Sequence, residues 1–234
     1  YKRGEETIEL TDKTIYEYLK EACTKYSQLT ALEYFGKQTS FTALLKQVDI
    51  CAAAFKQYGL KKNDVVTICM ANTPEAVIAF YALNKLGVIA NMIHPLSGEA
   101  EIKNYLINNH TKLLVMMDIC YEKINNIIDE TNVEKAIVVS AKDSMPLALS
   151  LGYQITQGYK VSKPKRDDER YIAWKRFYRQ GIGVNDTIPV KGHKDTPAVL
   201  LHSGGTTGNP KGIVLSNGNF AALVEQAKII FTKV

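Results

Sequence analysis

Residues 65–92 read "VVTICMANTPEAVIAFYALNKLGVIANM". Two short apolar runs, Val65–Met70 and Val88–Met92, enclose a longer stretch with helical punctuation at both ends. Thr73 is placed to cap a helix with its hydroxyl, and Pro74 suits the first helical position, where a missing N–H costs nothing. Gly87 follows the last apolar residue, the position at which helices turn left-handed and stop. The unit is therefore strand, helix, strand, and a helix of this length between two strands makes a crossover onto a parallel neighbour.

Further apolar runs follow at Leu113–Met117 and Ala136–Val139, so that successive strands begin at residues 65, 88, 113 and 136. That spacing is near the minimum for a βα repeat, and Ser97 with Glu99 and Glu101 marks another helix start in the second interval. The predicted fold is α/β, a mostly parallel sheet flanked by helices, with its core over about residues 60–140. Upstream, Thr14-Ile15-Tyr16-Glu17 has the form of a capping box, followed by Tyr18, Leu19, Ala22 and Tyr26 at helical spacing. Leu44, Leu45, Val48, Ala52 and Phe55 make a second stripe closed by Gly59, and Ala31–Phe35 with a Gly36-Lys37 turn suggests a hairpin between the two helices.

Composition narrows the function classes. The longest unbroken apolar run, Ala76 to Leu83, is far short of the roughly 20 residues of a membrane span, and the first residues lack the pattern of a signal peptide, so a cytoplasmic protein is expected. Cys23, Cys51, Cys69 and Cys120 form no Cys-x-x-Cys pair, and His94, His110, His193 and His202 fall into no metal-ligand spacing, which points to reduced core thiols and gives no metal ligands. Charge is uneven: residues 151–194 hold ten Lys/Arg against four Asp/Glu, and the rest is nearly balanced. Within this basic helical segment, about 145–194, Tyr171, Ile172, Trp174, Phe177 and Tyr178 alternate with Arg170, Lys175, Arg176 and Arg179. The pattern predicts an amphipathic helix near 168–180, packed on the domain, touching a membrane surface, or contacting an acyl-carrier or phosphate-bearing partner. Nothing suggests a nucleic-acid partner.

The third landmark, within segment 195–216, is "VLLHSGGTTGNPKGIVLS", Val199 to Ser216. Its apolar flanks, Ala198–Leu201 and Ile213–Leu215, are strand candidates, so the loop joins strand to strand. Walker and dinucleotide-binding loops run from strand into helix, and neither motif fits here. The composition nonetheless suits an anion. Glycines permit the backbone conformations in which consecutive N–H groups converge on one point. Ser203, Thr206 and Thr207 add hydroxyl donors, and Lys211 adds a mobile charge. Turn-forming residues in an ordinary surface hairpin would look similar, so composition leaves both readings open.

The run Leu200-x-x-Ser203-Gly204-Gly205-Thr206-Thr207-Gly208-x-Pro210-Lys211-Gly212 resembles the AMP-binding signature of the adenylate-forming superfamily, which includes acyl-CoA synthetases, peptide-synthetase adenylation domains and luciferases. Residues 59–95 are similar to the same family's "G-x-x-x-G-D-x-V" to "N-x-P-E" region. One departure follows the loop, where Asn217-Gly218-Asn219 stands in place of the common His-x-Asn.

The resemblance implies the N-terminal part of the adenylate-forming large domain, with a strand-loop-strand phosphate loop. It implies ATP, Mg²⁺ and coenzyme A as the small molecules, and an acid activated through an acyl-adenylate. On this basis Ser203, Thr206, Thr207 and Lys211 hold the β- and γ-phosphates, Gly204, Gly205 and Gly208 allow the approach, and Lys211 with Thr206 stabilises charge on the departing pyrophosphate. The stretch Val88–Ile93 after Leu86-Gly87 is less like a peptide-synthetase adenylation domain than an acyl-CoA synthetase, which makes a fatty acid the expected substrate. The family's later motifs and its C-terminal lid do not occur in these residues, so an N-terminal fragment, inactive by itself, is expected. A non-catalytic nucleotide- or phosphate-binding module, a peptide-synthetase-type adenylation domain and a structural domain with a decayed loop are the alternatives.

Overall fold

The computed structural model describes residues 10–156, 162, 164, 167–184, 189–203 and 211–231. The expected strand-helix-strand unit is present as β3 (Val65–Cys69), α3 (Pro74–Lys85) and β4 (Ile89–Ile93). The Thr73 hydroxyl accepts from the Ala76 N–H at 3.3 Å. Gly87 adopts φ +69°, and a Cβ there would press on Lys62 and Val190 at 3.2 Å. Sterics and chirality thus agree on glycine at the end of α3.

Two more repeats follow: α4 (Glu99–Asn108), β5 (Leu113–Met117), α5 (Tyr121–Ile127) and β6 (Lys135–Val139). The pairs β3·β4, β3·β5 and β5·β6 are all parallel. Since β3 connects outward to β4 and β4 connects back to β5 on the far side of β3, right-handed crossovers put α3 and α4 on opposite faces. Both faces are covered, which is why β5 is buried along its whole length and reads as an unbroken apolar run.

Upstream, α1 (Ile15–Lys25) starts with the predicted capping box: Thr14 Oγ1 accepts from Glu17 N–H at 3.3 Å, and Glu17 Oε2 accepts from Thr14 N–H at 2.7 Å. The hairpin β1 (Thr30–Tyr34) and β2 (Lys37–Ser40) leads into α2 (Phe41–Lys56), whose Val48, Cys51, Ala52, Ala54 and Phe55 are buried in the main core. Lys85, only 4% exposed at the end of α3, meets Asp49 of α2 at 2.8 Å, and the Tyr16 hydroxyl donates to the same carboxylate at 3.0 Å.

The basic segment departs from expectation. After α6 (Leu147–Thr156), residues 168–180 are not one helix: Tyr171–Ala173 is strand β7, parallel to β6 at the sheet edge, and only Trp174–Arg179 is helical, as α7. The aromatic side chains turn inward. Trp174 is 6% exposed and Phe177 fully buried, with the Phe177 ring 4.8 Å from Phe55 and 5.8 Å from Tyr58. Two of the cations are paired among the described residues: Arg170 with Asp168 and Asp129, and Lys175 with Asp143 at 3.3 Å. The aromatics at helical spacing are a core seam, and the charges are its solvated rim.

The sheet is completed by β8 (Pro197–Ser203), parallel to β4, and by β9 (Lys211–Ser216), antiparallel to β8. Its order is β7-β6-β5-β3-β4-β8-β9. Helix α8 (Asn217–Phe231) follows directly, and Phe220 packs with Ile15, Phe80 and Met92 around Ala198 and Val199 in a second, smaller cluster. No helix of the described residues is long and apolar enough to cross a membrane.

Candidate functional site

Because β8 runs parallel to β3, β4, β5 and β6, its last residue, Ser203, emerges at the carboxyl edge of the sheet, the edge where open α/β sheets place their ligands. The chain returns at Lys211. Ser203 and Lys211 are cross-strand partners, and the Ser203 hydroxyl lies 3.5 Å from the Lys211 carbonyl. The predicted strand-to-strand connection is therefore the structure's own. Gly204, Gly205, Thr206, Thr207 and Gly208 lie outside the described residues. Lys211 is exposed and makes no ion pair among the described residues.

Two faces of β8 meet different surroundings, as strand alternation requires. Val199 and Leu201, on the Ser203 side, border an open apolar cavity of about 520 Å³. Phe80, Tyr81, Met92, Phe220 and Val224 complete most of its wall. On the other face His202 lies flat on Tyr105 of α4, with ring centroids 3.7 Å apart and planes inclined by 24°. Its Nε2 is 2.6 Å from Asn91 Oδ1. Asn91 in turn donates through Nδ2 to the Thr67 hydroxyl at 2.8 Å, and Thr67 shares a 2.6 Å bond with Thr111. Asn91, Thr67 and Thr111 are fully buried. Burial depresses the His202 pKa below its usual value, against the opposing pull of Glu101. The Tyr105 hydroxyl donates to Glu101 at 2.7 Å, and burial with that carboxylate pushes the phenol up to about 12.

This polar track was not among the predicted site residues. A signal for it exists in the sequence: Thr67 and Asn91 are polar residues inside the apolar runs VVTIC and IANMI, and a buried polar group needs a partner.

At the departure from the family's usual His-x-Asn, Asn217 is 2% exposed and joins four segments. Its Oδ1 accepts from Ile15 N–H at 3.1 Å and from Asn84 Nδ2 at 2.9 Å. Its Nδ2 donates to the carbonyls of His193 and Thr196, both at 3.2 Å. Every hydrogen-bonding site on this amide is directed at structure, so the residue fastens α8 to α1, α3 and the start of β8.

Fold, loop and flanking strands define the class. The chain belongs to the AMP-binding enzyme family, whose sequence pattern matches residues 19–233. It is 28% identical over 218 residues to the long-chain-fatty-acid–CoA ligase of Bacillus subtilis (strain 168), covering 93% of this chain and 39% of that protein. Identity is 30% over 185 residues to the 3-hydroxypropionyl-coenzyme A synthetase of Sulfurisphaera tokodaii, covering 79% of this chain and 27% of the relative. Among solved structures, a long-chain-fatty-acid-CoA ligase from Archaeoglobus fulgidus superposes with a TM-score of 0.75 at 21% identity, over 97% of this chain and 41% of that one, which shows a shared fold. The chain thus spans about a quarter to two fifths of the length of such relatives.

Proposed function

We propose that the whole protein is an AMP-forming acid–CoA ligase, and that this chain supplies its pyrophosphate clasp. The observation that carries the reading is the loop itself: a donor-rich, glycine-rich signature opened by Ser203 and closed by Lys211, at the carboxyl edge of a parallel sheet. The names of its relatives, ligases that join acids to coenzyme A, support the same reaction.

In this reaction a carboxylate oxygen attacks the α-phosphorus of ATP, the bond to the bridging oxygen breaks, and negative charge moves onto departing pyrophosphate. Ser203, Thr206, Thr207 and Lys211 donate to the β- and γ-phosphates. Their contacts strengthen as charge develops, so they lower the barrier and do no acid–base work. Glycines at 204, 205 and 208 let the backbone amides approach the same oxygens. Among the described residues no group of three or more His, Cys, Asp or Glu converges. In this reading Mg²⁺ arrives on the phosphates of ATP, as part of the substrate. Coenzyme A then accepts the acyl group. The apolar cavity beside Leu201, two residues before Ser203, supports an aliphatic acid. Four buried free thiols support a reducing, cytoplasmic setting.

The test is acid-dependent exchange of labelled pyrophosphate into ATP by the whole protein. Lys211→Ala is expected to lower kcat by about 10²–10³, as loss of one charge-stabilising donor does, with the acid's KM nearly unmoved. An elevated acid KM with unchanged kcat contradicts the assigned role.

A further inference from the structure

The hairpin that carries the loop is a cantilever. The last β8 residue paired with β4 is Leu201, opposite Met92. His202 and Ser203 continue past it and pair only with Gly212 and Lys211 of β9, which is itself the sheet's outermost strand. Beyond Leu201 the strand register of this tip is with β9 and no longer with β4. The bridge across is one side chain. His202 reaches back to Asn91 at 2.6 Å and rests on Tyr105 at 3.7 Å.

Both contacts end on fixed points. The amide of Asn91 spends its donor on Thr67, which leaves Oδ1 to accept and requires Nε2 of His202 to carry the proton. Tyr105 is buried to 5% exposure and held by Glu101 through its hydroxyl. An imidazole with its donor directed and its face stacked has one orientation, and the backbone of residue 202 is held with it.

We propose that His202 is a positioning residue, a latch that fixes the stem of the loop-bearing hairpin against β4 and α4 and so holds Ser203 and Lys211 ready for an anion. Groups that bind a ligand from a fixed stem avoid the ordering cost that a swinging stem imposes on binding. The effect on ligand affinity rests on the phosphate reading given above; the latch itself does not.

Hydrogen–deuterium exchange separates the two. In His202→Ala the ladder-bonded amides among residues 202, 203, 211 and 212 are expected to exchange about tenfold faster, with β3 and β5 unchanged, since opening stays local to the tip. In His202→Phe, which keeps a ring on Tyr105 and loses the donor, the acceleration is expected to be smaller. Affinity for Mg·ATP should fall in the same order across the two variants. Unchanged exchange at the tip in His202→Ala overturns the latch, and so does acceleration spread equally over β3 and β5, the mark of a general packing role. Lys211→Ala is the control for the other reading: it should weaken Mg·ATP binding and leave tip exchange as in the wild type. If Lys211→Ala binds Mg·ATP normally, the phosphate reading fails, and the exchange data still decide the latch.

Discussion

All five residues of β5, Leu113 to Met117, are buried, whereas Lys211 to Val214 of β9 are all exposed, including Ile213 at 47% and Val214 at 55%. The two strands belong to one sheet. β5 has a paired strand on each side and helices on each face, so its free energy comes from apolar area removed from water. The β8–β9 hairpin stands at the edge with its tip beyond β4, and that tip is held by the contacts of His202 with Asn91 and Tyr105. The difference teaches where each kind of substitution should act: stability is set in the interior, and the proposed ligand chemistry belongs to an edge that contributes little to it.

The largest effect should come from a residue whose neighbours in sequence look like surface. Phe177 sits among Lys175, Arg176 and Arg179 yet is fully buried against Phe55 and Trp174. Phe177→Ala is expected to destabilise the fold by about 3–5 kcal/mol in urea unfolding. Arg176→Ala should cost less than about 0.5 kcal/mol. Equal small effects would make this segment a loose appendage and break the comparison. Close by, a Cβ on Gly181 would collide with the backbone carbonyl of Ile50, so Gly181→Ala should cost about 1–3 kcal/mol.

An intermediate effect is expected at the Lys85–Asp49 pair. Lys85 is 4% exposed and Asp49 41%, so Asp49→Ala takes one carboxylate partner from a buried ammonium, at about 1–2 kcal/mol. That is below the 3–5 kcal/mol of a fully enclosed pair, because water screens the carboxylate. Thermal unfolding reads this as a lowered Tm.

Glu75, in the first turn of α3, is expected to show a smaller effect of opposite sign. It is 3% exposed, and burial raises its pKa above 4.5 although the Ser144 hydroxyl donates to it. A carboxyl that holds its proton more tightly when folded costs stability wherever it is ionised, above the folded pKa. The cost disappears as pH falls through that value to below 4.5, where both states are protonated. Glu75→Gln is therefore expected to raise stability at pH 7. At pH 4 it should leave stability unchanged. A gain that grows on acidification contradicts the assignment.

Local signals made the interior legible. The Thr73-Pro74 start, the Thr14–Glu17 capping box and the apolar runs at β3 to β6 depend on neighbours within a few residues, and the structure shows each of them. At residues 171–173 the same reasoning misled. Aromatics at helical spacing suggested one helix, but pairing with Ala136, Ile137 and Val138 holds the first three as strand. That choice is made by a partner 35 residues away, which periodicity does not register. The loop stem divides likewise. Ser203 and Lys211 were legible as a motif. The His202 contact joins residues 111 positions apart and was not.

The smallest expected effect on stability is at Lys211 itself, whose replacement by alanine should alter unfolding by no more than about 0.5 kcal/mol. The same change gives the most direct test of the central claim, that this edge hairpin holds the phosphates of ATP. Mg·ATP titrated calorimetrically into the wild-type chain should give saturable heat, and Lys211→Ala should bind clearly more weakly. Equal binding by both proteins, with both fully folded, would contradict it.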